Sequence, residues 1–281
     1  VDGLKTVGVI GCGYWGPNLI RNFHNHPDVE VTVIADLDAS RLSHVGRLYP
    51  SARQTRDHRD VVGAPELDAI VVATPVSTHY PLGREVLEAG KHLFLEKPMA
   101  TNADECRRLI ELAEASDLQI MIGHTFLFTP AVRKIQQLID EGHLGDVYYV
   151  NITRVNLGIF QKDVNVVWDL AAHDVAMLTH LFAASPEVVS ATGRSYVQRD
   201  KGIEDVAFLT LESPGRQIAH VQRVACDRFP RAVVEHPVEH LVAPGQGAVR
   251  ALDRVVAVVG ARDHPGEQRR LGEGHLQRRL V

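Results

Sequence analysis

Two stretches of this sequence carry side chains suited to proton transfer, and the first is centred on Lys97. This residue lies between Glu96 and Pro98, directly after the apolar run Leu93-Phe94-Leu95. A buried strand that ends in a lysine, followed by a proline that cannot extend a ladder, would place one ammonium group at the edge of a parallel sheet. We therefore expect Lys97 to be a catalytic residue.

The second stretch contains Asp169 and His173, which are four residues apart. On a helix this spacing places both side chains on one face. A histidine is suited to accepting a hydroxyl proton, and a carboxylate beside it could orient the ring or hold a substrate hydroxyl. The alternative is a capping acid and a core histidine, and spacing alone favours this alternative.

The N-terminal motif Gly11-Cys12-Gly13-Tyr14-Trp15-Gly16 indicates a nucleotide that could react with a substrate bound at the lysine. The motif follows a strand-like run and precedes a helix-like one. In that context the first glycine makes a tight turn, the second lets the backbone approach a pyrophosphate, and the third lets helix and strand pack closely. The alternative is a glycine-rich turn used only for packing. The motif residues expected in the cofactor site are Gly11, Gly13, Tyr14, Trp15 and Gly16.

The acid Asp36 indicates which nucleotide is bound. It ends a second strand-like run, Val31–Ala35, and follows Gly16 at the distance typical of a ribose-binding carboxylate. A carboxylate there accepts bonds from both ribose hydroxyls and repels a 2′-phosphate. We therefore expect NAD, with NADP less favoured. Arg41 lies close enough in sequence to keep NADP open, although it is equally a solvent-exposed helix arginine.

Alternating strand-like and helix-like segments predict an α/β Rossmann domain with a doubly wound parallel sheet over residues 1–124. Nucleotides bind such sheets at the carboxyl ends of the strands. Residues expected at those ends, and hence beside the cofactor, are Thr74, Pro75, His79, Glu96 and Lys97. For His79 a structural role at the start of a helix is an equal alternative.

Residues 125–221 have a different pattern, with a helix at 169–183 among longer strand-like runs. This pattern predicts a substrate-binding α+β domain with a largely antiparallel sheet. The segment 222–281 is atypical: from Ala219 to Val281 there is no Ile, Lys, Met, Asn, Ser, Thr, Trp or Tyr, and there are ten arginines. The composition is typical of a GC-rich gene read out of frame from about residue 222. The alternative is a genuine, divergent tail.

Composition narrows the functional class further. The net charge of -5 argues against nucleic-acid binding, because there is no excess of cations to neutralise phosphates. Three cysteines without a CxxC pair suggest neither a disulfide framework nor a metal site. No run is apolar enough for a membrane span, and strand-like sequence begins almost at once, without a signal peptide. We expect a soluble cytoplasmic protein.

The glycine motif, Glu96-Lys97-Pro98, and Asp169 with His173 on a helix of a second, β-rich domain together resemble the glucose–fructose oxidoreductase / inositol dehydrogenase (Gfo/Idh/MocA) family. The likeness runs from residue 5 to about residue 221. It implies a dehydrogenase in which Lys97 and His173 are the catalytic pair and Asp169 is an acid of the substrate site. In this family the C-terminal sheet often forms an oligomer interface, which implies a homo-oligomer if that sheet is complete in this chain.

Finer features, such as Gly123-His124-Thr125-Phe126 and residues 154–158 and 165–170, resemble the branch that oxidises C3 of UDP-N-acetylhexosamines or their uronates. Alternatives are an inositol or free-sugar dehydrogenase, a non-catalytic NAD-binding sensor and, because of the tail, a truncated inactive product. The residues that the resemblance suggests for the substrate site are Lys97, Arg154, Asn156, Asn165, Trp168, Asp169 and His173.

Overall fold

Two sheets, one in each half of the chain, organise the molecule. The computed structural model describes residues 3–156 and 164–225, together with the backbone of the strand 256–261. The first sheet has six strands and the second has five. Within the described residues, no helix is both long enough and apolar enough to cross a membrane.

The first sheet confirms the predicted doubly wound parallel architecture. Its strands are ordered β3-β2-β1-β4-β5-β6, and every neighbouring pair is parallel. The order reverses direction between β1 and β4, where such sheets bind ligands at their carboxyl ends. The strands are β1 (Lys5–Ile10), β2 (Val29–Ala35), β3 (Arg53–Thr55), β4 (Ala69–Val72), β5 (His92–Leu95) and β6 (Ile120–Ile122).

Helices cover both faces of this sheet, which explains why its strands are apolar without alternation. Adjacent residues Val33 and Ile34 enter two different buried clusters on opposite faces, and both are at most 1% exposed. A strand buried on both faces reads as a continuous apolar run. The helices are α1 (Gly16–His24), α2 (Ala39–Leu48), α3 (Arg59–Val62), α4 (His79–Glu88) and α5 (Ala103–Ala115).

The second sheet confirms the prediction of a largely antiparallel α+β domain. Its order is β11-β7-β10-β9-β8, and only the β7–β10 pair is parallel. Two helices, α6 (Pro130–Asp140) and α7 (Ala172–Phe182), bury one face through Val132, Met177 and Leu178. The strands are β7 (Val147–Asn156), β8 (Val188–Arg194), β9 (Val206–Glu212), β10 (Ile218–Ala225) and β11 (Val256–Ala261).

The predicted helix at 169–183 begins differently from the α-helix assumed for it. A π-helical turn, Val167–Ala171, runs directly into α7. π turns are rare and are found mostly as single turns at functional sites. The side chain of Asn165 precedes the turn and accepts a bond from the Trp168 amide at 2.9 Å. The spacing of apolar residues does not predict this turn. The π turn adds only one residue to a single turn, which is too small a change to alter the apolar pattern.

A buried ion pair joins β10 to α7. Arg223 and Asp174 contact each other, and both side chains are 0% exposed. Strand β10 continues to Ala225, beyond the boundary that we placed at residue 221. Arg223 therefore belongs to the core of the second half, although it lies in the segment whose reading frame the composition puts in question. Within that segment, 226–255 and 262–281 lie outside the described residues.

Removal of one partner of this pair should be far more harmful than removal of both. Arg223→Met leaves the Asp174 carboxylate buried without a counter-charge, which costs about 3–5 kcal/mol. The double variant Asp174→Leu/Arg223→Met should recover most of that loss in urea unfolding followed by circular dichroism. Arg194→Met, at an exposed position on β8, is the control. Wild-type stability of Arg223→Met alone would show that the ion pair does not form.

Candidate active site

A cleft of about 820 Å³ opens at the carboxyl ends of the parallel strands. Ligand pockets in proteins span roughly 300–1,000 Å³. Asp36 and Arg41 line one end, and Lys97 and Asp169 line the other. Of the predicted cofactor residues, Gly16 does not line the cleft, whereas the lining includes Gly11, Gly13, Tyr14, Trp15, Asp36, Thr74, Pro75, His79, Glu96 and Lys97.

The three motif glycines have the geometry that a dinucleotide requires. Gly11 has a φ of 104°, and a Cβ on Gly16 would lie 2.0 Å from the Gly11 carbonyl oxygen. The Cβ of an alanine at position 13 would approach only the Arg41 guanidinium, at 3.8 Å. The first and third glycines therefore serve the turn and the packing, and the space over Gly13 belongs to the cleft. This arrangement fits a pyrophosphate at the start of α1.

Asp36 is fixed at the end of β2 by two backbone bonds. Its carboxylate accepts from the amides of Cys12 at 2.6 Å and Asp38 at 2.8 Å. Nη1 of Arg41 is 4.0 Å from that carboxylate, and the Arg41 side chain is 54% exposed. The carboxylate is thus already oriented for ribose hydroxyls. Arg41 extends over the same end of the cleft.

His79 has the structural environment that we gave as its alternative. The residue is 1% exposed, and its ring nitrogens lie 2.9 Å from the Thr74 carbonyl oxygen and 2.8 Å from that of Pro98. The ring therefore ties the end of β4 to the loop that carries Lys97. This contact positions two parts of the cofactor cleft relative to each other.

Glu96 is a buried carboxyl group on the wall of the cleft. Its Oε2 accepts from the Lys97 amide at 3.2 Å, and burial raises the pKa of this carboxyl against the opposing effect of that bond. Among the described residues, Oε1 has no hydrogen-bond partner. A Cβ at Gly123 would lie 3.1 Å from Oε1, so the glycine leaves room for the carboxyl group. Glu96 therefore has bonding capacity to offer a cofactor.

Lys97 and Asp169 meet across the two halves of the chain. Nζ donates to the Asp169 carbonyl oxygen and to its Oδ1, both at 2.9 Å. The two side chains are 13% and 16% exposed. An ammonium has three N–H donors. Within the described part of the chain these two bonds leave the third donor for a substrate oxygen.

His173 is enclosed next to this contact. The residue is 6% exposed, and the rings of Phe126 and His124 lie with centroids 4.7 and 6.0 Å from its own. Burial, followed by the charges of Lys97 and Arg154, lowers the pKa of His173 to about 3. The imidazole is therefore neutral at physiological pH and can accept a proton.

The remaining predicted substrate residues have structural contacts. Nε1 of Trp168 donates to the Ala100 carbonyl oxygen at 2.7 Å, which joins the π turn to the loop after β5. Nδ2 of Asn165 donates to Glu204 at 3.2 Å. The Arg154 guanidinium lies 4.2 Å from the centroid of the Phe126 ring. Asn156 ends β7, and its side chain lies outside the part of the chain that the structure describes.

Two side chains of the site were not predicted as site residues. His124 lies two residues after the end of β6, and the Phe126 ring contacts both His173 and Arg154. The rule that selected Thr74 and Glu96, namely a position at the carboxyl end of a parallel strand, would also have selected His124. Phe126 gives no comparable signal, because its role depends on contacts with distant segments. Residues 3–156 and 164–225 contain no cluster of three or more potential metal ligands.

Comparison with family models matches both halves of the chain. Residues 5–124 match the model described as an oxidoreductase family with an NAD-binding Rossmann fold, and residues 132–231 match the GFO/IDH/MocA C-terminal domain. The chain belongs to the Gfo/Idh/MocA family. The predicted family and the predicted NAD cofactor are therefore confirmed, and the glycine motif and Asp36 lie in the matched NAD-binding domain. The second match continues beyond Arg223.

Known relatives have different substrates. The UDP-N-acetylglucosamine 3-dehydrogenase of Acidithiobacillus ferrooxidans is 30% identical over 217 residues, which are 73% of this chain and 63% of the relative. The inositol 2-dehydrogenase of Rhizobium meliloti is 26% identical, over 87% of this chain and 74% of the relative. The chain thus spans only 63% and 74% of the lengths of these two curated relatives.

A solved structure shows the same fold. The WlbA dehydrogenase from Bordetella pertussis, in complex with NADH and UDP-GlcNAcA, superimposes with a TM-score of 0.73. The two chains are 22% identical, and the match covers 82% of this chain and 69% of the other. At this identity the likeness concerns the fold alone.

Two glycine substitutions should separate cofactor binding from folding. Gly13→Ala should fold normally and bind NADH at least 10-fold more weakly, because its methyl group enters the cleft where the pyrophosphate must approach. Gly16→Ala should lose folded protein, because its methyl group would collide with the Gly11 carbonyl. NADH fluorescence titration and thermal unfolding measure the two effects. Unchanged NADH affinity in a folded Gly13→Ala variant would contradict the assigned cofactor position.

Proposed function

We propose that the chain is an NAD-dependent dehydrogenase that oxidises a sugar hydroxyl, namely C3 of a UDP-N-acetylhexosamine or its uronate. The observation that carries this proposal is the contact of Lys97 with Asp169 beside the neutral His173. Lys97 and Asp169 line one end of the cleft whose other end holds Asp36, and His173 is not part of the cleft lining. A dinucleotide that spans the cleft therefore has its ribose acid at one end and a proton-transfer site at the other.

When bound, NAD would supply the acceptor for the carbon-bound hydrogen of the alcohol and its electron pair. The groups of the chain handle the second hydrogen, the hydroxyl proton. His173 accepts that proton as the C–O bond becomes a carbonyl. Lys97 donates its remaining N–H to the same oxygen and stabilises the negative charge that develops there. Alcohol and oxidised cofactor thus give ketone, reduced cofactor and one proton.

Asp169 positions the ammonium of Lys97 for this role. Because its carbonyl and carboxylate both accept from Nζ, the lysine points from the first half of the chain toward the second. A substrate hydroxyl between Lys97 and His173 would then meet a hydrogen-bond donor and a proton acceptor together. Fixed orientation of this kind lowers the barrier because little reorganisation is needed in the transition state.

The sugar-nucleotide assignment is supported by relatives and by sequence features of the second half. The 30% identical relative is named as a UDP-N-acetylglucosamine 3-dehydrogenase, and WlbA was solved with UDP-GlcNAcA. The inositol 2-dehydrogenase at 26% identity supports an inositol or free-sugar dehydrogenase as the second candidate. The catalytic groups do not separate these candidates, because they would act on any secondary alcohol.

Lys97→Met should abolish turnover and leave NADH binding within about threefold of wild type. Methionine keeps the length of the side chain and removes the donor that stabilises the developing charge. The assay is NADH formation with UDP-N-acetylglucosamine, its uronate, myo-inositol and free hexoses. The control is Lys134→Met, at an exposed position on α6. Full activity of Lys97→Met would overturn the catalytic assignment.

The pattern across this panel also tests the alternatives. Turnover of inositol or a free sugar in preference to both UDP-sugars would favour the second candidate. NADH binding without turnover of any alcohol would favour a sensor or an inactive truncated product. A 3-keto product from a UDP-sugar, identified by mass spectrometry, is the result that we expect.

We also propose that the chain forms a homo-oligomer through the face of the second sheet that no described helix covers. Tyr149 and Ile218 are cross-strand neighbours, and the exposed Glu212 on β9 separates Ile218 from Val188 in the same row. Tyr149, Ile218 and Val188 are 40%, 39% and 54% exposed, and Phe208 on the same sheet is 52% exposed. A second copy would bury these apolar groups. Light scattering after gel filtration should show an oligomer that Phe208→Glu dissociates. A monomeric wild-type protein would refute this proposal.

A further inference from the structure

Two imidazoles stand side by side behind the proposed reaction centre. The ring centroids of His124 and His173 are 6.0 Å apart, and their planes are inclined by 79°. Nδ1 of each ring is buried and has no hydrogen-bond partner among the described residues. His124 is partly exposed, whereas His173 is buried. The pair therefore connects an enclosed base with a residue that reaches the surface.

His173 needs a group to which it can pass its proton, because its surroundings disfavour the protonated ring. Its surroundings include the cations Lys97, Arg154 and Arg223, and burial itself opposes charge on the ring. Two acids near the ring are already engaged, since Asp169 binds Lys97 and Asp174 binds Arg223. Glu96 is not among the groups whose charge acts on His173. A proton that stayed on His173 would have to be tolerated at a site that holds the imidazole neutral. The reaction nevertheless releases one proton per turnover.

We propose that His124 is a proton relay that takes the proton of the reaction from His173 and passes it to solvent. This inference rests on the proposed dehydrogenase function. His124 is not required to touch the substrate or the cofactor. Its role is to empty His173, so that the base is neutral again before the next substrate arrives.

The step balances if each ring accepts a proton at one nitrogen and loses one at the other. The hydroxyl proton enters His173 at Nε2, because the enclosed Nδ1 faces away from solvent. The proton on Nδ1 of His173 then passes to Nδ1 of His124 through one bridging water molecule, because the two nitrogens are not hydrogen-bonded to each other. Nε2 of His124 releases its own proton to solvent. No charge remains on either ring, but each ring then carries its proton on the opposite nitrogen. After product leaves and water enters the cleft, His173 loses its Nε2 proton to that water, His124 returns its Nδ1 proton to Nδ1 of His173, and Nε2 of His124 takes a proton from solvent, which restores the starting tautomers.

The charged groups around the pair favour transfer away from the cleft. Lys97 at the end of β5 lowers the pKa of both rings, and burial is the larger cause for each. Arg154 on β7 and Arg223 on β10 lower the pKa of His173. His124 is less enclosed than His173, so it carries a transient positive charge at lower cost. The direction of transfer is therefore outward.

The test compares His124→Gln and His124→Ala with wild type, using the sugar that the substrate panel identifies. We expect kcat to fall about 10- to 100-fold, which is at or below the lower end of the roughly 100- to 10,000-fold attributed to proton transfer by a positioned side chain, because His173 itself is kept. KM and NADH affinity should stay within about twofold. Added imidazole should restore kcat in His124→Ala. In both His124 variants, stopped-flow with a pH indicator should show that proton release to solvent lags behind NADH formation.

Two controls separate a relay from a packing role. Phe126→Leu also loosens the wall of His173 but removes no proton carrier, so imidazole should not restore whatever activity it loses. His143→Ala, at an exposed position, should behave as wild type with and without imidazole. A kcat in both His124 variants within twofold of wild type would overturn the relay. So would a loss that imidazole does not restore while NADH affinity is kept.

A second measurement does not depend on turnover. In the NADH complex, nitrogen-detected NMR of ¹⁵N-histidine should show the neutral Nδ1–H tautomer for His173 and the Nε2–H tautomer for His124, each assigned by its Gln variant. An Nε2–H tautomer at His173 would overturn the relay even if the chain oxidised no sugar. Absence of turnover with the expected tautomers would instead refute the proposed function and leave the relay geometry supported.

Discussion

The contact between Lys97 and Asp169 is the interaction on which the site depends, because it joins the two halves of the chain at the reaction centre. Neither partner is useful alone: the lysine follows a parallel strand, and the acid lies in a π turn before a helix of the other half. Trp168, next to Asp169, adds a second bond across the same junction, to the Ala100 carbonyl. A displacement of the second half would therefore move the ammonium and the base together.

The second core is built around charge, which is unusual for a region of this burial. Arg154 and Arg223 are cross-strand neighbours on adjacent parallel strands, and each is at most 4% exposed. One is paired with Asp174 on the helix that carries His173, and the other lies over the Phe126 ring. Burial of His173, followed by the charges of Lys97 and of these two arginines, lowers the pKa of the imidazole and keeps it neutral. The same contacts that build the core therefore set the protonation state of the base.

The first half was predictable from sequence because each of its signals is local. A glycine motif, a carboxylate at the end of the next strand and apolar runs buried on both faces need no distant contact to be recognised. The second half was predictable only in class. The π turn, the Arg223–Asp174 pair and the Phe126 wall arise from segments that are far apart in sequence. Trp168 and Asn165 were predicted as substrate residues because they lie close to Asp169 in sequence. In the structure their side chains bond to Ala100 and Glu204.

This difference bears on how substrate choice is encoded. In the proposed mechanism, Lys97, Asp169 and His173 act on a carbon that carries a hydroxyl, a group that inositols and sugar nucleotides share. The groups that would discriminate between such substrates must contact the rest of the molecule, and the chemistry itself puts no constraint on them. Arg154 is a predicted substrate residue on the second sheet. However, the residue is buried, and its guanidinium lies over the Phe126 ring. Chains of one family can therefore keep a single reaction centre and change substrate through the surrounding loops. For this reason the sequence indicates the reaction centre more clearly than it indicates the substrate.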